Sequence, residues 1–181
     1  MKIFLLRHGE TLANSLDIMI GSTTDVPLSS NGIKQSQEVK LDSDFDIIFS
    51  SPMKRTLQTA EIISKKLNIN LIIDNNLIER GKGILEGKMQ KEIAEYTEGA
   101  VTEAILSKSL EFDFSHFGGD SIESVRVRIK NFVSMILNDY SDKKILVVTH
   151  LGIIRVMFAM YENKGPQSSN NAEINVLNIS N

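Results

Sequence analysis

The sequence predicts an α/β fold built on a mostly parallel central sheet flanked by helices. Two patterns carry this expectation. Short apolar runs rich in β-branched residues, Ile3-Phe4-Leu5-Leu6, Ile47-Ile48-Phe49, Leu71-Ile72-Ile73 and Ile145-Leu146-Val147-Val148, read as strands buried on both faces. Between them apolar residues recur at helical spacing: Met53, Leu57, Ala60, Ile63 and Leu67, then Ile122, Val125, Ile129, Phe132 and Ile136 after Ser121. Strands that alternate with helices favour parallel pairing with both faces of the sheet covered.

The remaining elements follow from the same rules. Pro52 suits the first turn of the helix that carries Arg55. A third helix, from about Leu151 to Tyr161, is apolar almost all round and is expected to be buried. Asn175 to Ile179 alternates more weakly, as an edge strand would. Residues 81–118 lack a strong strand and carry helical material over Ile93 to Leu110, so they are expected as an insertion over one end of the sheet. Asn163 to Asn171 is a polar loop before the last strand. A chain of 181 residues is thus expected to form one domain over 1–181.

Composition narrows the function classes. With 41% hydrophobic and 24% charged residues the chain is neither disordered, collagenous nor membrane-embedded. Twenty basic residues against 23 acidic ones leave a net charge of −3, so nothing sequence-wide attracts nucleic acid or anionic lipid. The absence of Cys excludes disulfides, thiolate metal sites and Cys nucleophiles. The first apolar run stops at Arg7, too short for a signal sequence or a membrane span. A cytoplasmic enzyme or binding domain is expected, with neither nucleic acid nor membrane as partner and a homodimer left open.

The rare residues fall in a telling place. Of three His, two stand directly after buried strands, His8 in F-L-L-R-H-G and His150 in L-V-V-T-H-L-G. The carboxyl ends of parallel strands are where loops are free to present side chains to ligands. Either His alone would pass as a hydrogen-bonded turn residue; two of three in that setting would not. Arg is scarcer than Lys, yet Arg7 precedes the first His, Arg155 follows the second by five residues, and Arg55 opens the helix after the second strand. A guanidinium is planar, charged and forked, the geometry a phosphate or carboxylate accepts. Helices starting near Gly9 and Leu151 would add backbone N–H groups at the same spot. An anion pocket with two imidazoles and at least two guanidiniums is the expectation. A metal site would need a third ligand, and there is no H-E-x-x-H motif and no carboxylate beside His150, so no metal is expected.

These residues carry a family resemblance along almost the whole chain. L-L-R-H-G-E-T-L-A-N (5–14) resembles the signature of the histidine phosphatase, or phosphoglycerate mutase-like, superfamily. T-D-V-P-L-S-S-N-G (24–32), S-S-P-M-K-R-T-L-Q-T-A-E-I (50–62), L-I-E-R-G-K-G-I-L-E-G (77–87), G-G-D-S (118–121) and V-T-H-L-G-I-I-R (148–155) follow in family order. A lone R-H-G is weak; six ordered segments are specific. The resemblance implies a three-layer α/β sandwich and phosphoryl transfer through a phosphohistidine, without a cofactor. Carried over by position, His8 is the nucleophile, Arg7, Arg55 and His150 grip the phosphoryl oxygens, and Glu79 is the general acid. Gly9, Thr11, Asn14, Leu151 and Gly152 are expected around the substrate. Three departures stand out: Leu151-Gly152 where two Gly often follow the second His, Gly81-Lys82 where an acidic or aromatic pair is more usual, and Asp120 for Glu.

The implied chemistry makes physical sense. A phosphate ester dianion repels anionic nucleophiles, so a neutral imidazole held by a backbone carbonyl in the Gly9 turn suits His8, and nearby Arg charges should depress its pKa. Fixed donors stabilise charge spread over the phosphoryl oxygens. His150 is expected to help most as the imidazolium. Glu79 is expected to protonate the leaving alkoxide with a pKa raised beside the anionic substrate; Glu86 is a nearby rival regarded as structural. The pattern P-L-S-x-x-G together with E-x-x-x-G-x-L-E-G resembles the phosphatase branch, which includes α-ribazole phosphatases, fructose-2,6-bisphosphatases and broad-specificity enzymes. The expected partner is a small phosphorylated metabolite. A phosphoglycerate mutase is the first alternative, and a non-catalytic anion-binding module the second.

Overall fold

The structure is a computed structural model and describes residues 1–41, 44–102, 112–162 and 170–179. Its sheet comprises β1 (Lys2–Arg7), β2 (Ile47–Ser50), β3 (Asn70–Ile73), β4 (Ile145–Thr149) and β5 (Ile174–Asn178), in the order β3-β2-β4-β1-β5. β1, β2, β3 and β4 run parallel, and β5 joins β1 antiparallel at the edge. The central strands β2 and β4 are buried throughout, as their unbroken apolar runs require.

The described helices are α1 (Leu12–Ser15), α2 (Ser30–Glu38), α3 (Lys54–Leu67), α4 (Gln90–Tyr96), α5 (Ile122–Asp139) and α6 (Leu151–Glu162). The two-residue period of β4 divides the interior. Ile145 and Val147 face a core built from α5 and α6, with Phe132, Ile136, Ile154 and Met157, whereas Leu146 and Val148 face Ala60 and Ile63 of α3. Helices therefore cover both faces, giving the expected three layers. Ser121 caps α5 by accepting from the Ser124 N–H, and Asn68 ends α3 in the left-handed conformation at φ 54°.

Three details differ from the sequence expectations. Pro52 lies ahead of α3 rather than in its first turn, because Met53 is the cap residue. The Asp25 carboxylate, from a distant loop, accepts from the Lys54 N–H at 2.7 Å in place of a local cap. Helix α1 begins at Leu12, not near Gly9, and its four residues are too few to project a dipole at the pocket. Helix α2 escapes apolar periodicity altogether: Ile33 is its one large apolar residue, and it buries Gly32 and Ser36 instead. Gly32 packs where a Cβ would collide with the Glu10 backbone, so the contact is made by a missing side chain.

In the 81–118 segment, Leu85, Ile93, Val101 and Phe114 form a small third core with Met19. Helix α4 accounts for the start of the predicted helical stretch; its continuation over 103–110 lies outside the described residues, as does most of the 163–171 loop. Among the described residues no helix is long and apolar enough to cross a membrane.

Candidate active site

The parallel register sets β1 and β4 level, with Arg7 opposite Thr149, so the residues that follow each strand emerge side by side. The His8 N–H donates to Thr149 O at 3.1 Å, and the His8 and His150 rings lie 5.3 Å apart, centroid to centroid. Adjacent buried strands thus place both imidazoles at one point on the carboxyl edge of the sheet.

His8 Nδ1 lies 2.7 Å from Gly9 O. A carbonyl can only accept, so the proton sits on Nδ1 and the Nε2 lone pair is left for chemistry. Burial, then the neighbouring His150, Arg55 and Arg7, push the His8 pKa well below the usual imidazole range. Gly9 itself is anchored by its N–H to Thr59 Oγ1 at 3.1 Å, and a Cβ there would meet Ser36 Oγ at 2.7 Å. Neither Gly9 nor Thr11 lines the cavity. Gly9 orients His8, and buried Thr11 caps α1 by accepting from the Asn14 N–H at 3.2 Å. Asn14 does line it, with Oδ1 accepting from the Thr11 N–H at 3.1 Å, so its amide N–H groups are what it can offer a ligand. Asn171, which the sequence did not single out, donates to His8 O at 3.0 Å.

His150 departs from expectation. Ser51 Oγ accepts from the Met53 N–H at 3.4 Å and lies 2.9 Å from His150 Nε2. His150 Nδ1 is buried with no partner among the described residues. Burial, Arg55, Lys82 and Arg7 hold the His150 pKa well below the imidazole range. The expected imidazolium is therefore replaced by a neutral ring whose Nδ1 is unpartnered among the described residues. Ser51 directly follows β2 as His8 and His150 follow their strands, and that position was the signal for it.

Arg55, in the opening turn of α3, is fully buried. Its two terminal nitrogens donate to Thr24 O at 3.0 Å and Gly21 O at 3.2 Å, while Nε has no partner among the described residues. Glu79 is buried across the cavity: Oε1 accepts from the Arg80 N–H at 2.8 Å and Oε2 from the Gly152 N–H at 3.3 Å. Burial by itself would raise its pKa, but Lys82, the Arg80 N–H, Arg55 and the Gly152 N–H outweigh burial and hold it below the usual carboxylate range. Glu79 is therefore held as a carboxylate, against the raised pKa expected from the sequence. Gly152 is required here because a Cβ would run into the Glu79 carboxylate.

The cavity, of about 240 Å³, is lined by Arg7, His8, Asn14, Glu79, Leu151 and Gly152 from the predicted set, whereas Arg55 and His150 are fully buried and are not among its lining residues. Arg80, Lys82 and Arg155 add positive charge, and Ile18, Met19, Ile20, Val101, Phe112 and Phe114 form an apolar side. Arg80 donates to Phe112 O at 2.7 Å and stacks over the Phe114 ring at 5.0 Å, joining the acid-bearing segment to the insertion. Lys82 Nζ donates to Ile20 O at 2.5 Å. The Asp120 carboxylate accepts from the Gly81 N–H at 2.8 Å and pairs with Arg128 at 3.3 Å, bracing the segment that follows Glu79 from outside the cavity. Among the described residues no three His, Cys, Asp or Glu side chains come together as metal ligands.

A family model for the histidine phosphatase superfamily (branch 1) matches residues 3–181. The chain belongs to the histidine phosphatase superfamily. Phosphoserine phosphatase 1 of Hydrogenobacter thermophilus is 31% identical over 163 residues, covering 87% of this chain and 74% of that protein. Phosphoglycerate mutase-like protein 4 of Arabidopsis thaliana is 30% identical over 188 residues, covering 98% and 79%. A mycobacterial glucosyl-3-phosphoglycerate phosphatase superposes with a TM-score of 0.84 at 23% identity, over 98% of this chain and 92% of that one, which shows the shared fold.

Proposed function

We propose that the protein is a phosphoric monoester hydrolase that cleaves small phosphate monoesters through a phosphohistidine on His8. The observation that carries this reading is the 2.7 Å contact of His8 Nδ1 with Gly9 O, which leaves Nε2 unprotonated in the field of the Arg55 and Arg7 guanidiniums. Nε2 attacks phosphorus and the P–O bond to the leaving group breaks. Glu79, protonated once a dianion sits beside it, gives its proton to the departing alkoxide. The resulting carboxylate takes a proton from water as the water oxygen attacks the phosphohistidine, releasing inorganic phosphate and restoring His8. Arg7, the Arg55 Nε–H and His150 hold the phosphoryl oxygens through both steps. Positive charge comes from side chains, so a chelator should leave activity unchanged; activity lost in chelator and restored by a divalent ion would favour metal chemistry instead.

The relative named a phosphoserine phosphatase supports hydrolysis, and the relative named mutase-like keeps group transfer to a second hydroxyl as the rival reading. A mutase must shield its phosphohistidine from water until a second hydroxyl arrives. The segment over this cavity is short and interrupted by Gly81, Gly83, Gly87 and Gly99, which favours an open approach for water. Phosphate release from a monoester is therefore expected to exceed interconversion of 2- and 3-phosphoglycerate, even with bisphosphoglycerate as primer. Both products are followed in one tube, and interconversion outrunning release would make mutase the better reading. A panel of phosphate esters, α-ribazole phosphate and phosphoserine among them, then ranks the leaving groups.

A further inference from the structure

We propose that Glu86 is a positioning residue for Arg55, acting through the 21–24 loop whose carbonyls hold the guanidinium. The inference rests on the reading of Arg55 as a phosphoryl-binding group. Arg55 is fully buried, and both of its terminal nitrogens donate into one short loop, to Gly21 O and Thr24 O. The orientation of the fork therefore follows the placement of two carbonyl groups in a stretch with no regular secondary structure of its own. Something outside that stretch has to fix it.

Glu86 does so from the opposite side. Its Oε2 accepts from the Thr23 N–H at 3.0 Å, the Thr23 hydroxyl at 2.7 Å and the Thr24 N–H at 2.8 Å. Its Oε1 accepts from the Lys82 N–H at 2.9 Å. At Thr24 the two contacts share one residue: the N–H is held by Glu86 and the C=O holds Arg55. At the loop's start, Gly21 lacks the side chain that would otherwise strike the Glu86 carboxylate and lie 2.7 Å from Arg80 O, so the carboxylate can approach the backbone closely. A carboxylate with four donors stays ionised, and the same hydrogen bonds keep its pKa below the usual range against the opposing effect of burial. Glu86 is half-exposed, lies outside all three apolar cores and does not line the cavity. It is suited neither to the acid role nor to holding the core together. Its contacts lead to Arg55 through the loop, and to the Glu79 segment through Lys82.

A double-mutant cycle on kcat/KM tests this, with p-nitrophenyl phosphate and an alkyl phosphate as substrates and inorganic phosphate binding measured by calorimetry. Glu86→Ala is expected to lower kcat/KM about 10-fold, the size of effect usual when a partner that orients a binding group is removed. The loss should be equal for both leaving groups, and phosphate affinity should fall with it. In an Arg55→Ala background, Glu86→Ala should cost no more than about twofold further, since the group it orients is gone. Glu86→Gln keeps an acceptor oxygen and the side-chain volume, so it should recover part of the loss and serves if the Ala variant does not fold. Losses that multiply with those of Arg55→Ala, or a loss confined to the alkyl ester, would overturn the proposal, the second by pointing to Glu79 through Lys82. If wild type turns over neither ester, or Arg55→Ala leaves phosphate affinity unchanged, the proposed function fails instead.

Discussion

His8→Ala should abolish ester hydrolysis and covalent labelling by phosphate together. Without the imidazole the nucleophilic nitrogen of the proposed mechanism is gone. His150 is 5.3 Å away, centroid to centroid, and its Nε2 is engaged with Ser51. With that nitrogen held by Ser51, His150 is not expected to take over as nucleophile. The same geometry fixes a spectroscopic expectation. Burial and the cations His8 faces lower its pKa, so in the ligand-free enzyme it should remain neutral, as the Nδ1–H tautomer, at pH 6.5, where a free imidazole is about half protonated. Nitrogen NMR of the labelled protein reads this directly. Falling pH protonates the ring only below that point, and phosphoenzyme formation should decline there. Residual phosphohistidine in His8→Ala would move the nucleophile to another residue and sink the mechanism.

How much of this was legible in the sequence depends on which physics produced each part. β2 and β4 were plain because full burial leaves unbroken apolar runs, α5 because its buried face repeats at 3.6 residues, and α6 because it is apolar almost all round. Helix α2 was not, because it packs through Gly32 and Ser36, and close backbone approach leaves no apolar stripe. The site followed the same division. His8, Arg7, Arg55 and His150 stood out as rare residues at strand exits, and the family pattern added Glu79. The partners that tune them are common residues scattered along the chain: Ser51 beside His150, Lys82 beside Glu79, Glu86 and Gly21 behind Arg55. Their roles arise only when distant segments meet. Charge state was the least legible of all. The sequence suggested a charged His150, but crowding a buried imidazole with Arg55, Lys82 and Arg7 makes the neutral ring the stable form.

Glu79→Gln should cost a poor leaving group far more than a good one. An alkyl alkoxide must receive its proton as the P–O bond breaks, whereas p-nitrophenolate departs unaided, so the alkyl ester should lose about 10²–10⁴-fold, the usual contribution of a general acid. Glutamine keeps the volume and one carbonyl oxygen, so one of the two N–H groups of Arg80 and Gly152 retains its acceptor while the other faces the amide NH2, a cost that should fall equally on both esters. The geometry adds a constraint on pH. Lys82, Arg55 and two backbone N–H groups hold the empty-site carboxylate ionised, outweighing burial, so the free enzyme carries little protonated Glu79 near neutrality. The proton must come with the substrate, either as the ester monoanion or from solvent once a dianion has neutralised the surrounding cations. For the alkyl ester, the wild-type rate of phosphoenzyme formation should therefore fall as pH rises, and this dependence should vanish in Glu79→Gln while the p-nitrophenyl ester shows little of it in either protein. Single-turnover measurements of both esters across pH separate the cases. Equal losses on the two esters, with the pH dependence intact, would give Glu79 a binding role and leave the leaving group to be protonated by another residue.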